Sequence, residues 1–91
     1  MLSISFDEAK RQWTLKHRGL DFVDAGKVFE GPEFTQADDR FNYPEPRFQT
    51  YGLLKGRLIM LAWTPLENGV RVFSMRKCNE REQKIFNARL G

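Results

Sequence analysis

The sequence predicts an α+β fold with two N-terminal helices, an antiparallel sheet of about four strands and a C-terminal helix. Apolar residues recur at helical spacing before Pro32, and short strand-forming runs alternate with turn residues after it. A helix-capping motif then follows at Asn79. The chain has 91 residues, of which 41% are hydrophobic and 30% charged, so we expect one packed domain over residues 1–91.

The first predicted helix spans roughly residues 6–18 and ends at Gly19. Two residues could cap its N-terminus: Ser5, in a capping box with Glu8, or Asp7. The apolar residues that recur at helical spacing are Phe6, Ala9 and Trp13. We expect this stripe to form the buried side of the helix.

A second short helix is predicted after Asp21, which can act as its cap. The Gly31-Pro32 pair closes the helix. Its apolar stripe consists of Phe22, Ala25 or Gly26, and Phe29. With a short connection between them, the two helices should form a helical hairpin.

Four strands are predicted beyond Pro32, with ranges 34–37, 47–54, 57–64 and 70–76. Lys55-Gly56 should turn the second strand into the third, which is apolar on both faces and therefore central. A five-residue turn, 65–69, should lead to the fourth strand. Asn79 and Glu82 then form a capping box for a helix to about residue 90, with Ile85, Phe86 and Leu90 on its buried side.

The turn before the last strand decides which residues face each other. With a five-residue turn, Trp63 lies opposite Arg71 and Leu58 opposite Arg76, whereas a tighter Asn68-Gly69 turn shifts this register. Regular alternation also puts Arg71 and Arg76 on opposite faces of the sheet. Either a bulge re-aims one arginine, or one of them binds RNA and the other holds an acidic side chain.

Composition excludes several classes of function. Residues 1–46 carry six Lys/Arg and nine Asp/Glu, whereas residues 47–91 carry nine Lys/Arg and three Asp/Glu. The basic C-terminal half could bind a polyanion, or it could simply be a solvated basic surface. One Cys and one His cannot form a disulfide or a His-rich zinc site. We see no glycine-rich phosphate loop, paired metal-binding carboxylates, nucleophile elbow, signal peptide or membrane-length apolar run. We therefore expect a soluble cytoplasmic protein without metal or cofactor.

Basic residues interleaved with Tyr51 and Trp63 would suit single-stranded RNA, because guanidinium groups neutralise phosphate and aromatic rings stack on bases. A strand-borne aromatic residue is more often part of the core, and this interpretation is favoured for Trp63. His17 beside Lys16 could complement a helix dipole or transfer protons. Glu45 could supply a carboxylate, although local ion pairs around a proline-containing loop are the simpler role for it and its charged neighbours, Asp38, Asp39, Arg40 and Arg47.

If the chain is a nuclease, it must work without a metal ion. RNA permits this, because the 2′-hydroxyl next to the scissile phosphate can itself act as the nucleophile. The protein has to align that hydroxyl, move protons and stabilise charge on phosphorus with Arg or Lys.

The sequence resembles the BrnT family of toxins over nearly its whole length. In the N-terminal part the resemblance lies in Phe6-Asp7-Glu8-Ala9-Lys10, Lys16-His17, Asp21-Phe22 and residues 25–29. In the C-terminal part it lies in Asp39-Arg40, Glu45 with Arg47, Gly56-Arg57, Trp63-Thr64, Arg71-Val72-Phe73-Ser74-Met75-Arg76-Lys77 and Glu80-Arg81. The order and spacing of these pieces are more specific than any one of them.

The resemblance implies a RelE-like fold and a ribonuclease toxin that arrests translation within a type II toxin–antitoxin system. It also implies a protein antitoxin, BrnA, whose ribbon-helix-helix-type domain would bind the DNA operator, so that the toxin reaches DNA only through its partner. A dimeric antitoxin would give a heterotetramer. The alternative is a non-catalytic basic module that binds nucleic acid or an acidic partner.

We expect the candidate site residues to fall into two groups. The catalytic candidates are Arg71 and Arg76 for phosphate, His17 and Lys16 for proton transfer, and, more weakly, Glu45. The RNA-binding candidates are Arg47, Arg57, Trp63, Lys77 and Tyr51.

Overall fold

The computed structural model describes residues 2–90, and side chains as far as residue 89. Within these residues it confirms an α+β fold with three α-helices, the last of which follows the sheet. The strands are β1 (Ser3–Ser5), β2 (Glu33–Ala37), β3 (Phe48–Leu54), β4 (Arg57–Leu66) and β5 (Gly69–Lys77). The helices are α1 (Glu8–Arg18), α2 (Ala25–Glu30) and α3 (Glu80–Leu90), with a 3₁₀ turn, Phe22–Asp24, before α2.

Within residues 2–90 the sheet has five strands and is mixed, so the predicted antiparallel sheet of about four strands is wrong in these two details. Its order is β1-β5-β4-β3-β2. The additional strand is β1, which pairs parallel with β5 from Ser3 opposite Gly69 to Ser5 opposite Arg71. Because β1 precedes α1, the chain enters the sheet before it forms its first helix.

Asp7 caps the N-terminus of α1, since its side chain accepts a hydrogen bond from the Lys10 amide at 3.0 Å, and Gly19, with φ 67°, caps the C-terminus. Asp7 is therefore the cap and Ser5 is not. The predicted buried stripe is wrong: Trp13 is 49% exposed, and Thr14 is the buried residue of α1.

The second helical segment begins as predicted at Asp21, which accepts a hydrogen bond from the Val23 amide at 3.1 Å. The first turn is 3₁₀ and continues into α2, which buries Ala25 and Val28 and ends at Gly31. Each helix packs mainly on a strand, α1 on β5 and α2 on β3. The expected hairpin is thus two consecutive helices that contact the sheet more than each other.

The apolar core lies mainly between the sheet and the N-terminal helical segments. Ile59 and Leu61 of β4 point into it together with Val72 and Met75 of β5. A smaller cluster on the opposite face joins the sheet to α3; it comprises Leu58, Met60, Cys78 and Phe86. Both faces of β4 are therefore covered, which confirms that it is a central strand.

The two turns of the meander differ in how well they were predicted. Lys55 and Gly56 have positive φ values of 52° and 78°, as a two-residue hairpin requires, and this turn is confirmed. The five-residue turn before β5 is wrong, because Leu66 pairs directly with Gly69. The predicted opposite pairs are wrong as well: Thr64 lies opposite Arg71 and Met60 opposite Arg76.

The predicted capping box of α3 is confirmed. Asn79 Oδ1 accepts from the Glu82 amide at 2.8 Å, and Glu82 Oε1 accepts from the Asn79 amide at 3.0 Å. Phe86 is buried, whereas Ile85 is 53% exposed and does not belong to the buried side. The prediction for the Leu90 side chain lies outside the described residues.

Candidate functional site

A β-bulge in β5 determines which side chains share a face of the sheet. Ala62 pairs with Ser74, but the next residue, Trp63, pairs with Val72, so Phe73 is the extra residue. Directly paired residues point to the same face, and a bulge reverses the alternation beyond it. The first of the two alternatives left by the sequence is therefore correct: Arg71 lies on the same face as Arg76.

We call this side of β5 and β4 the arginine face; its β5 residues, Arg71, Ser74 and Arg76, are partly exposed, whereas of the β4 residues opposite them Thr64 and Met60 are buried and Ala62 is partly buried. The Arg71 backbone is paired with Ser5 and Thr64, but its side chain forms no hydrogen bond or ion pair within residues 2–90. The row of paired residues through Ser74 continues across the sheet by way of Ala62 to Gln49, which is buried, and to Gln36, whose Nε2 donates to Gln49 Oε1 at 3.0 Å. The polar side chains of this face that reach solvent beside the bulge are therefore Arg71 and Ser74, which are both partly exposed.

Arg76 is held by a carboxylate, which is one part of the second alternative; RNA binding by the other arginine stays a prediction. Its guanidinium donates to both oxygens of Glu82, at 2.7 and 2.9 Å. This pairing lowers the pKa of Glu82 to about 2 and raises the pKa of Arg76. Arg76 therefore ties β5 to the first turn of α3 and presents a partly neutralised charge to any ligand.

Arg47 is held by a carboxylate and two aromatic rings. Its guanidinium lies 4.2 Å from the ring centre of Tyr43 and 4.1 Å from that of Phe73, and its Nε donates to Glu45 Oε1 at 2.9 Å. A guanidinium between two aromatic faces is stabilised electrostatically and loses little entropy on binding a ligand. The extra residue of the bulge thus positions an arginine from a distant loop.

The loop that carries Arg47 follows β2 and is held in place by its own ion pairs. The carboxylate of Asp38 accepts two bonds from Arg40, which lowers its pKa, and the Asp38 amide donates to the Arg47 carbonyl at 2.8 Å. Thr64 on the arginine face donates to the carbonyl of Pro46. The predicted local ion pairs form between Asp38 and Arg40 and between Glu45 and Arg47, whereas Asp39 forms none within residues 2–90.

Helix α1 lies beside the bulge of β5. Arg18 Nη1 donates to the Met75 carbonyl at 2.9 Å, and Thr14 is buried. A crevice between helix and strand is lined by Lys10, Trp13, Thr14, Arg18, Phe73 and Ser74. Ser74 belongs to both this crevice and the arginine face, so the two are adjacent.

His17 lies on the exposed side of α1 near its end, and its ring stacks on Trp13 with centres 4.5 Å apart and planes at 14°. Its Nδ1 is 3.0 Å from the Trp13 carbonyl. Because a carbonyl only accepts, Nδ1 carries the hydrogen and Nε2 of the neutral ring is an unprotonated acceptor. Lys16, the adjacent candidate, is exposed on the same turn.

The structure does not bring the remaining candidates together. Trp63 lies on the opposite face, packed on Phe29 and Phe48, with its indole N–H bonded to Thr50 at 2.8 Å. Tyr51 shares the face of Arg76 but lies partly buried in the α3 cluster, and burial raises its pKa. Arg57 donates to the Cys78 carbonyl at 2.8 Å, and Lys77 is exposed at the end of β5.

Sequence reasoning missed the residues that line the crevice beside α1 and those that contact Arg47: Lys10, Trp13, Arg18, Tyr43 and Phe73. The first two and His17 follow one another at i, i+3 and i+7, a basic and aromatic stripe on one side of a helix. That pattern could have indicated a ligand-binding side of α1. For Phe73 and Tyr43 no local pattern existed, since their role depends on the bulge.

Two negative observations concern the described part of the chain. Among residues 2–90, no three His, Cys, Asp or Glu side chains are grouped so that they could hold a metal ion. The helices within the same range lack the length and apolar character needed to cross a bilayer.

The fold and this surface define a small α+β domain with arginine and aromatic side chains on one side of a mixed sheet, a chemistry suited to a single-stranded polyanion. The chain belongs to the BrnT family, whose model, described as "Ribonuclease toxin, BrnT, of type II toxin-antitoxin system", matches residues 6–82. The resemblance drawn from the sequence is thereby confirmed, and the family implies an antitoxin partner. No curated protein sequence matches the chain.

Proposed function

We propose that the chain is an endoribonuclease that cleaves RNA without a metal ion and arrests translation. In this reaction the 2′-oxygen attacks the adjacent phosphorus and the bond to the 5′-oxygen breaks. The 2′-proton passes to a base, and the 5′-oxygen receives a proton. The products are a 2′,3′-cyclic phosphate and a 5′-hydroxyl, and the protein supplies alignment, proton transfer and positive charge.

One observation carries the proposal: the bulge that places Arg71 on the same face as Arg76. Arg71, which has no ion-pair partner among residues 2–90, binds the scissile phosphate and stabilises charge in the transition state. Arg47 assists from its place between Tyr43 and Phe73, where its direction is fixed. Arg76 contributes less charge because Glu82 already holds it.

Proton transfer is assigned to α1. His17 Nε2 is free to accept a proton when the ring is neutral, and exposed Lys16 is the other candidate for proton transfer. Glu45 is the weakest candidate, since its carboxylate is engaged by Arg47. We do not retain Trp63 as an RNA ligand, because its ring and its indole N–H are both used in the core.

The proposal is tested by incubating purified protein with single-stranded RNA in the presence of EDTA. Arg71→Ala should lower the cleavage rate about a hundredfold, the effect of losing one transition-state contact of roughly 3 kcal/mol. Lys84→Ala is the matched control, because it removes one exposed positive charge from α3 and should change the rate little.

The outcomes separate catalysis from binding alone. Full cleavage by folded Arg71→Ala would contradict the assignment of the phosphate site. Salt-dependent RNA binding without any cleavage by the unmodified protein would favour the non-catalytic module. That alternative has one observation in its support, namely that Arg47 and Arg76 are already paired with carboxylates.

We further propose that the antitoxin is BrnA and that it blocks the arginine face with acidic side chains. Its own DNA-binding domain would then connect the pair to an operator, and dimerisation of BrnA would give a heterotetramer. Copurification after coexpression of the two neighbouring genes tests the pairing, and light scattering gives the mass of the complex. A toxin that never copurifies with the neighbouring gene's product would refute this partner.

A further inference from the structure

The exposed side of α1 carries a stacked aromatic pair, Trp13 and His17, of which the proposed reaction uses only His17 Nε2. Trp13 is about half exposed, although a tryptophan ring has the largest apolar surface of any side chain. His17 stacks on it almost in parallel and is fixed there through its bond to the Trp13 carbonyl. The protein therefore holds a flat aromatic surface in solvent.

Cationic groups surround this pair. The Arg18 guanidinium lies 5.2 Å from the centre of the Trp13 ring and is anchored to the Met75 carbonyl of β5. Lys10 lines the same crevice, with its Nζ 6.0 Å from the ring centre of Phe73. Neither cation forms an ion pair with a carboxylate among residues 2–90, so both charges are available to phosphate.

The pair also lies next to the arginine face. Trp13, Arg18 and Ser74 line one crevice, and Ser74 belongs to the arginine face as well. A nucleotide chain that lies on that face can therefore continue over the edge of β5 to α1. Stabilisation of the helix does not explain the arrangement, because an i, i+4 side-chain pair contributes only weakly to a helix.

We propose that Trp13, stacked with His17, is a base-binding subsite for single-stranded RNA, with Lys10 and Arg18 contacting the phosphates on either side of the stacked base. This proposal rests on RNA as the ligand of the arginine face, and it assigns α1 the nucleotide next to the one held there. Stacking on aromatic rings accepts any base, so the subsite adds affinity and position with little sequence preference.

The test measures binding, so it does not depend on cleavage. The first probe is a short 2′-O-methyl oligonucleotide, whose blocked 2′-oxygens prevent the reaction. The second is an abasic oligomer with the same number of phosphates. Trp13→Ala should weaken binding of the first probe about tenfold, the usual loss for one stacked base, and leave binding of the second unchanged.

Two control variants accompany Trp13→Ala. Trp13→Phe keeps an aromatic ring and should retain most of the affinity. Leu15→Ala removes another exposed apolar side chain from the same helix and should bind both probes normally.

Trp13 and Trp63 are the two tryptophans of the chain, so quenching of tryptophan emission by the base-bearing probe should disappear in Trp13→Phe.

Three outcomes would overturn the subsite. The first is unchanged binding of the base-bearing probe by Trp13→Ala, and the second is an equal loss for both probes. The third is weaker antitoxin binding with normal oligonucleotide binding, which would make α1 a protein contact instead. If Trp13→Ala does not fold, the emission measurement on Trp13→Phe decides. If the unmodified protein binds and is quenched but never cleaves, the subsite stands and only the proposed reaction fails.

Discussion

Glu82 is the position at which one substitution should have the clearest effect on stability. Its carboxylate accepts two hydrogen bonds from Arg76 and one from the Asn79 amide, and its side chain is only 21% exposed. Glu82→Gln keeps the shape and an acceptor for Asn79 but removes the charge that Arg76 pairs with. The substitution therefore isolates the ion pair between β5 and α3 from the cap of the helix.

The magnitude follows from the pKa of Glu82, which Arg76 lowers from 4.5 to about 2. Taken at face value, such a difference corresponds to about 3 kcal/mol of stability. Both side chains still contact water, which screens the pair, so we expect Glu82→Gln to cost about 1–2 kcal/mol at neutral pH. For a domain of this size, that lowers Tm by several degrees.

The pH dependence provides the stricter test. A carboxylate whose pKa is lowered by folding stabilises the protein above its unfolded pKa, near 4.5, and this contribution is lost as the pH falls towards 2. The difference in unfolding free energy between the unmodified protein and Glu82→Gln should therefore be constant above about pH 5 and shrink below it, as measured by urea titration.

Glu80→Gln is the matched control, because it removes an exposed charge from the same helical turn and should cost about 0.5 kcal/mol or less. Equal costs for the two substitutions would refute the reasoning. A difference that persists unchanged through the acid range would refute it as well.

Two further predictions concern the packing of the sheet. Gly69→Ala should lower the free energy of unfolding, measured in urea, by about 1–3 kcal/mol and speed amide exchange in β1, because the added Cβ would lie 2.0 Å from the Ser3 carbonyl oxygen. Gly26→Ala is the control: the space around this helical glycine is open, so the substitution should raise the free energy of unfolding by about 0.5–1 kcal/mol. Cys78 should react with a disulfide reagent only when the protein unfolds, because it is 1% exposed and burial raises its pKa to about 11; rapid reaction of the native protein would contradict this burial.

The features that the sequence predicted correctly are those fixed by neighbouring residues. The capping box of α3 needs only Asn79 and Glu82, and both of its reciprocal bonds form. The Lys55-Gly56 turn needs two residues that tolerate positive φ. Boundaries in these regions were accurate because the determining contacts lie within a few positions along the chain.

The features that failed depend on distant parts of the chain. A three-residue strand such as Ser3–Ser5 has no pattern of its own and exists because β5 offers it an edge. Pro65 suggested a turn, yet it lies inside β4. The pairing of β4 with β3 ends at Trp63, so Pro65 has a neighbouring strand on one side only, where a missing N–H is tolerated.

The buried side of α1 could not be predicted from the neighbouring residues either. Phe6, Ala9 and Trp13 fit a helical stripe, but the helix packs on the edge of β5 through Thr14 and Arg18. Polar residues can occupy this position because Arg18 bonds a carbonyl that the short β1 leaves unpaired. The hydrophobic pattern therefore placed Trp13 in the core, when its exposure is what makes it available to a ligand.

The candidate site also depends on contacts between distant parts of the chain. Alternation along β5 correctly gives opposite faces for Arg71 and Arg76 in a regular strand, and one extra residue, Phe73, reverses that result. The extra residue also supplies the ring that fixes Arg47 and one wall of the crevice beside Trp13. A bulge is thus the single irregularity that joins the sheet, the loop and α1 into one surface. Because the bulge is set by pairing with β4, residues that are individually visible in the sequence become a site only once the strands are in register.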